Sequence, residues 1–329
     1  MRKAVIITLA LLAEVFCIPV HGASPLRNEN INRAIEISNQ IISQRTEGTK
    51  TDSLISLAPV LSIDDAIAVV DSEMDERQIT KIVDAIYLIN NLKSGNTLDD
   101  SRDAISFTSL FPFRRPNSLD IAKLKDVFSS NSSVLHKTYL NKFPFVFRNC
   151  GPMPELLDLR GIIEANVNDC DEKNATLALF DSYATLVPGA PVPQVDLYDK
   201  DDNRHQFNDY LGKTVVVDVW ATWCTNCLKR MPTMKELHDS YAEKENVVFL
   251  NVSIDRRDKH EAWNRISEKH SLSGPYNLIV NSDDKSDFEE RYKIFGIPRY
   301  IVIRPDGKIA DAFAPGPGEE LKKLIDSTL

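Results

Sequence analysis

The chain has 329 residues, of which 48 are acidic and 39 are basic, so its formal net charge at pH 7 is −9. A negative balance of this size disfavours binding to nucleic acid or to an anionic membrane surface. At this length the chain can form two domains, each with a hydrophobic core of its own.

The first 22 residues have the pattern of a secretory signal peptide. A short basic segment precedes an apolar run, and Val20 and Gly22 place small side chains at the −3 and −1 positions of a cleavage site. A membrane helix is the alternative, but the apolar run is short for one and Glu14 interrupts it. We therefore expect residues 1–22 to be removed and the protein to be periplasmic or secreted.

The segment 23–187 has the pattern of a mainly α-helical domain. Apolar residues recur at helical spacing, and serine or asparagine residues stand where helix N-caps are expected. We predict helices that begin near Asn30, Ser62 and Ser118, one within 75–95, and two more at 154–168 and 173–186. The segment contains no recognisable chemical motif, so we interpret its apolar stripes as core and leave its function unknown.

A proline-rich joint, "PGAPVP" at 188–193, is the predicted domain boundary, because such a stretch cannot continue a helix. After it, strand and helix patterns alternate. The predicted strands are 214–221, 247–254, 276–280 and a hairpin within 297–314, and the predicted helices are 225–244, 258–271 and one from 319. This order indicates a mixed α/β sheet flanked by helices over residues 188–329.

Two cysteines, Cys224 and Cys227, follow the first of these strands directly and open the next helix. The unpaired N–H groups and the positive dipole at a helix N-terminus favour a thiolate, which is the species that attacks disulfides. The pair therefore fits exchange chemistry, with Cys224 attacking and Cys227 resolving. The alternatives are half of a zinc site, for which the chain offers no second close pair, and a purely structural disulfide.

Two further cysteines, Cys150 and Cys170, flank the predicted helix 154–168. We predict a disulfide between them, which would staple the segments on either side of that helix. Two buried thiols are the alternative.

The motif "VVDVWATWCTNC", followed by Pro232 and by "GIPRY" at 296–300, resembles thioredoxin. The preceding "APVPQVDL" and the helical segment 258–271 resemble its extracytoplasmic TlpA/ResA-type relatives. The resemblance covers 188–329 and implies a thioredoxin-like fold in that region.

The resemblance also implies roles for individual residues. Cys224 would be the nucleophile and Cys227 the resolving thiol, Pro298 would be the cis-proline beside the active site, and Trp223 would pack beside the disulfide. Asp218 lies within a strand that reads as buried, so burial should raise its pKa, and it could exchange a proton with Cys227.

Three positions depart from family patterns. Arg230 stands where many TlpA/ResA-type proteins have glutamate, and Asn251 where thioredoxins keep a lysine near the buried aspartate. Position 221 is alanine, whereas peroxidases of the related peroxiredoxin type have threonine three residues before the reactive cysteine. Proton handling can therefore differ from both groups, and a peroxidase is disfavoured.

The sequence thus predicts a thiol–disulfide oxidoreductase that reduces disulfides of extracytoplasmic proteins and needs no cofactor or metal. Its expected partners are a disulfide-bearing protein and a membrane electron donor, without nucleic acid. The alternative is a partner-binding protein whose helical domain is the main functional unit and whose redox domain is auxiliary.

Overall fold

The structure, a computed structural model, describes residues 25–44, 49–96, 118–256, 259–270, 272, 276–280 and 285–329. The predicted signal peptide lies outside the described residues. The chain divides into two compact units, one formed by the described residues up to Tyr139 and the other by residues 140–329. Among the described residues, no helix is both long and apolar enough to cross a membrane.

The first unit is helical, as the sequence predicts. Its helices are α1 (Pro25–Gln44), α2 (Thr49–Leu57), α3 (Ile63–Ile67), α4 (Glu76–Lys93), α5 (Ser118–Ser129) and α6 (Ser133–Leu140). Helix α4 begins with a reciprocal cap, in which the Gln78 main-chain N–H donates to the Asp75 carboxylate at 2.8 Å and the Asp75 N–H donates back to the Gln78 side chain at 2.9 Å. Its apolar stripe is buried as predicted: Ile79, Ile82, Val83, Ile86 and Ile89 are at most 3% exposed.

The second unit begins with three helices, α7 (Phe143–Cys150), α8 (Pro154–Asn166) and α9 (Asp171–Ser182). A sheet follows, whose strands are β1 (Leu197–Tyr198), β2 (Arg204–His205), β3 (Thr214–Trp220), β4 (Val247–Ser253), β5 (Asn277–Val280), β6 (Arg299–Ile303) and β7 (Ile309–Ala314). The remaining helices are α10 (Thr225–Asp239), α11 (His260–Lys269), α12 (Lys285–Arg291) and α13 (Glu319–Asp326).

The described strands form one seven-stranded sheet in the order β2-β1-β5-β4-β3-β6-β7. Strands β3, β4 and β5 are parallel, whereas β6 is antiparallel to β3, and β7 to β6. The predicted mixed sheet with flanking helices is therefore confirmed. All seven residues of β3 are buried, as expected of a central strand that is covered on both faces.

One face of the sheet packs against α10 and α13. Val216 of β3 belongs to a core cluster with Met234 and Leu237 of α10 and with Leu321 and Ile325 of α13. Side chains alternate along a strand, so Asp218 projects from the same face of β3 as Val216.

The proline-rich joint pairs with the sheet. The Gly189 N–H donates to the Ile309 carbonyl at 2.8 Å, and the Val192 N–H donates to the Gly307 carbonyl at 3.0 Å. The predicted boundary at 187 and 188 therefore falls inside the second unit, which continues back through α9, α8 and α7 to Leu140.

The predicted disulfide between Cys150 and Cys170 is wrong, since no disulfide joins these two described residues. Cys150 ends α7 and Cys170 precedes α9, so α8 stands between them. A helix of 13 residues is about 20 Å long. A disulfide needs Cα atoms within about 7 Å of each other. Nearness in sequence therefore did not bring the thiols together.

Candidate active site

The two motif cysteines form the turn between β3 and α10. Cys224 is the N-cap residue of α10, and its Sγ atom accepts a hydrogen bond from the Cys227 N–H at 3.1 Å. A disulfide joins Cys224 to Cys227. Cys224 is 6% exposed and Cys227 is 2% exposed, so the first sulfur is the more accessible of the two but neither side chain projects freely into solvent.

A buried carboxylate holds the turn that leads into the disulfide. Asp255, 1% exposed, follows β4 and accepts hydrogen bonds from the Thr222 N–H, the Thr222 hydroxyl and the Ser253 hydroxyl, each at 2.8 Å. Three donors satisfy the charge of a carboxylate that has almost no contact with water. Asp255 is not among the predicted site residues, and its position directly after a predicted strand is the one sequence signal that points to it.

Asp218 is the second buried carboxyl near the turn. Burial raises its pKa to about 7, and the nearby Arg230 guanidinium partly opposes this. One carboxyl oxygen, Oδ1, has no hydrogen-bond partner among the described residues. Asp218 projects toward α10, and Cys227 is buried on that helix together with Met231 and Met234. The carboxyl and the resolving sulfur thus lie in the same layer, between the sheet and α10.

The two strands that flank β3 each place one polar residue next to Asp218. Asn251 of β4 and Tyr300 of β6 pair with Asp218 in the strand register. Burial and the Asp218 carboxyl raise the pKa of the Tyr300 hydroxyl, and Arg230 opposes this. Asn251, where the resemblance places a lysine, carries no charge, and among the described residues it is the Arg230 guanidinium that acts on Asp218.

Pro298 lies at the end of the sheet from which the cysteine turn departs. Its peptide bond with Ile297 is cis, which is the geometry that the resemblance implies. Val219 pairs with Arg299, so Pro298 precedes β6 at the level where β3 ends. The structure thus gathers Cys224, Cys227 and Pro298 at one end of the sheet.

The two tryptophans of the motif have opposite environments. Trp220 is fully buried, whereas Trp223 is 64% exposed. Trp223 therefore lies on the surface next to Cys224 in sequence. Among the described residues, no group of three or more histidine, cysteine or acidic side chains is arranged to hold a metal ion.

Comparison with known proteins gives the family of this region. Residues 188–312 match the AhpC/TSA family. The matched region begins at the first residue of the proline-rich joint and includes the cysteine pair, Asp218 and Pro298.

Relatives with named activities cover the same part of the chain. The thiol-disulfide oxidoreductase ResA of Bacillus thuringiensis is 26% identical over 141 residues, which are 43% of this chain and 76% of that protein. The thioredoxin-like protein YneN of Bacillus subtilis is also 26% identical over 141 residues, 43% of this chain and 78% of its own length.

A solved structure, the thioredoxin domain of a thiol-disulfide oxidoreductase from Bacteroides vulgatus, is 29% identical, covers 43% of this chain and 97% of its own, and has a TM-score of 0.38. The predicted ResA-like resemblance and the prediction of an oxidoreductase are confirmed by the family match and the named relatives. The roles of individual site residues stay predictions.

Proposed function

We propose that the chain reduces disulfides of extracytoplasmic proteins through the Cys224–Cys227 dithiol. The observation that carries this proposal is the position of Cys224 at the N-cap of α10, where its sulfur accepts a main-chain hydrogen bond at 3.1 Å. Such a bond and the helix dipole stabilise negative charge on the sulfur that must attack.

The exchange takes two steps. The Cys224 thiolate attacks one sulfur of the substrate disulfide, which forms a mixed disulfide and releases one substrate thiolate. The Cys227 thiolate then attacks the Cys224 sulfur, which closes the Cys224–Cys227 disulfide and releases the second substrate thiolate. Two electrons pass from the protein dithiol to the substrate disulfide, and the two thiol protons end on the released cysteines.

Asp218 would take the proton from the Cys227 thiol in the second step. A carboxyl whose pKa is about 7 exchanges protons readily at neutral pH, whereas an ordinary aspartate is too weak a base. Its position in the layer between β3 and α10 supports this role.

We also propose that the protein works outside the cytoplasm after removal of residues 1–22. An oxidising compartment supplies no reductant of its own, so a membrane-bound dithiol donor would restore the reduced pair. N-terminal sequencing of the mature protein tests the first point, since the proposal expects a chain that begins at Ala23.

Two cysteine variants test the exchange itself. Cys224→Ser should abolish insulin reduction in the presence of dithiothreitol, and Cys227→Ser should accumulate mixed disulfides with the substrate through Cys224. Mass spectrometry identifies the trapped adducts. Cys170→Ser is the matched control and should keep full activity, because Cys170 lies before α9 and outside the cysteine turn. Adducts formed through Cys227 in Cys224→Ser would reverse the assignment.

A further inference from the structure

We infer that a cavity beside Pro298 selects disulfide substrates with a carboxylate side chain two or three residues from the attacked cysteine. The inference rests on the proposed function and names its substrate class. The cavity has a volume of about 850 Å³, and its walls include Pro298, Arg299, Tyr300, Arg230 and Gly316. It therefore adjoins the proline next to the active site and contains two guanidinium groups.

Arg299, directly after the cis-proline, is the first of these groups. Its guanidinium lies over the Phe313 ring at 3.6 Å, and it donates to the carbonyls of Lys293 at 3.1 Å and Ala312 at 3.4 Å. Burial lowers the pKa of Arg299 to about 10. A guanidinium that is held by carbonyl groups and a ring, with little water around it, gains from an anion brought close to it.

Arg230 is the second group and comes from α10. A methyl group added to Gly316 would lie 2.2 Å from the Arg230 Nη1 atom, so the guanidinium rests directly on the glycine main chain. Within the described parts of the chain, neither Arg230 nor Arg299 has a carboxylate oxygen within the 4.0 Å of an ion pair. Two guanidinium groups without a carboxylate at ion-pair distance thus face the same space, although the charge of Arg230 also acts on the buried Asp218.

The acidic residues of the cavity wall have other neighbours. Glu320 forms an ion pair with Lys323 at 3.0 Å. Asp311 accepts a hydrogen bond from the Phe313 N–H at 2.7 Å, and its charge acts on Arg299 from a greater distance than an ion pair. The wall therefore keeps a positive balance, which fits a carboxylate better than an amine.

The spacing along α10 sets where that carboxylate must be. Arg230 lies six residues after Cys224, which is about 9 Å along the helix at 1.5 Å per residue. An extended peptide advances about 3.3 Å per residue. A substrate peptide that runs extended from Cys224 toward the cavity would thus bring a side chain two or three residues from its cysteine to Arg230. A carboxylate there forms charge-assisted bonds that the matching amide cannot form.

Matched disulfide peptides test this selectivity. The substrates are symmetric disulfides of one peptide with Glu three residues on either side of its cysteine, and of the same peptide with Gln. Their kcat/KM values are measured with the full chain and dithiothreitol as the reductant. We expect the Glu peptide to be preferred about tenfold, the ratio that one charge-assisted hydrogen bond gives. Arg230→Gln should bring the ratio near one.

Lys229→Gln is the control, since it removes the same charge from the neighbouring exposed position of α10, outside the cavity wall. The Lys229→Gln variant should keep the preference for the Glu peptide over the Gln peptide. The ratio of two substrates cancels any effect of Arg230 on Asp218, which would change both rates alike. Equal kcat/KM values for the two peptides in the unaltered protein would overturn the inference, whereas no reduction of either would overturn the proposed function.

Oxidised glutathione, a third substrate, separates a peptide segment from a small carboxylate-bearing disulfide. We expect it to be reduced with a lower kcat/KM than the Glu peptide. A higher kcat/KM for glutathione, lost in Arg230→Gln, would assign the cavity to the small molecule and overturn the peptide inference.

Discussion

At the scale of single residues, the Asp218 carboxyl has the most consequential environment. It is buried on the central strand with a pKa of about 7, raised from 3.8 by burial. At a pH below the pKa that Asp218 has in the unfolded chain, the raised pKa in the folded protein costs no stability. As the pH rises from that value through the folded-state pKa, the free energy of unfolding falls. The group therefore favours proton exchange at neutral pH and lowers the free energy of unfolding there.

Asp218→Asn tests both effects. Turnover should slow, because the proton acceptor for Cys227 is lost. The variant should also gain stability over the unaltered protein as the pH rises, by roughly 2–3 kcal/mol between pH 5 and pH 8. Urea unfolding of both oxidised proteins at the two pH values measures this. Parallel pH profiles together with equal turnover would show that Asp218 is an ordinary strand residue.

Asp255 is expected to act through the shape of the cysteine turn. Asp255→Asn places an amide N–H₂ where the carboxylate accepts three hydrogen bonds, so turnover should fall and unfolding should cost about 1–3 kcal/mol less. Thr222→Val removes only the hydroxyl bond and keeps the main-chain bond, so its loss should be smaller. The exposed Asp158→Asn is the control and should change neither quantity. Full turnover in Asp255→Asn would show that the cysteine turn keeps its conformation without the Asp255 carboxylate.

At the scale of secondary-structure elements, the end of α7 packs against Phe313 of β7 and through it supports the region of the cis-proline. Gly151 has φ 69° and ψ −167°, a conformation essentially restricted to glycine. A methyl group at Gly151 would lie 2.1 Å from the Phe313 ring. Phe313 in turn lies under the Arg299 guanidinium. A helix that precedes the thioredoxin-like domain thus buttresses a residue next to Pro298.

Gly151→Ala should therefore destabilise the second unit by roughly 2 kcal/mol or more, because it adds both backbone strain and a steric clash. Gly161→Ala is the matched control. Gly161 lies within α8 and a methyl group there meets nothing within 4 Å, so the substitution should stabilise by about 0.5–1 kcal/mol. Denaturant unfolding measures both. Equal stability of Gly151→Ala and the unaltered protein would show that α7 does not support Phe313.

The sequence predicts the longer elements of this fold and misses the shorter ones for a physical reason. Strand β3 is a fully buried run rich in β-branched residues, and β4 is mostly apolar and buried. Such runs are typical of central strands that are covered on both faces. Strands β1 and β2 have two residues each, too few for an alternating pattern. Helix α7 has Pro144 in its first turn, so its sequence predicts an irregular link. The helix is recognised only in the structure, where Phe143 and Phe147 pack against Phe180.

Within the site, the sequence predicts features that depend on neighbouring residues, but it does not predict contacts between residues that are far apart in the chain. The position of Cys224 at the start of a helix follows from the order of strand and helix in the chain. The contact of Asp255 with Thr222 joins residues 33 positions apart, and no local pattern announces it. The same limit explains the wrong pairing of Cys150 with Cys170.

At the scale of the whole molecule, the remaining prediction concerns the direction of electron flow. An oxidant needs a strongly stabilised reduced form, and the Thr225–Asn226 dipeptide lacks the histidine that would help to stabilise a Cys224 thiolate. Buried Asp218 also disfavours a second negative charge nearby. The couple should therefore have a potential toward the ~−270 mV of thioredoxin. Equilibration with glutathione measures it, and a value near ~−120 mV, typical of strong oxidants, would contradict the reductase assignment.

The uneven exposure of the three tryptophans gives this protein a built-in optical probe. Trp220 and Trp263 are fully buried, while Trp223, the residue before Cys224, is 64% exposed. A partner that covers the active site removes water from one indole and leaves the other two unchanged. The resulting blue shift of the fluorescence emission reports on Trp223 alone, so docking at this surface can be followed without a label.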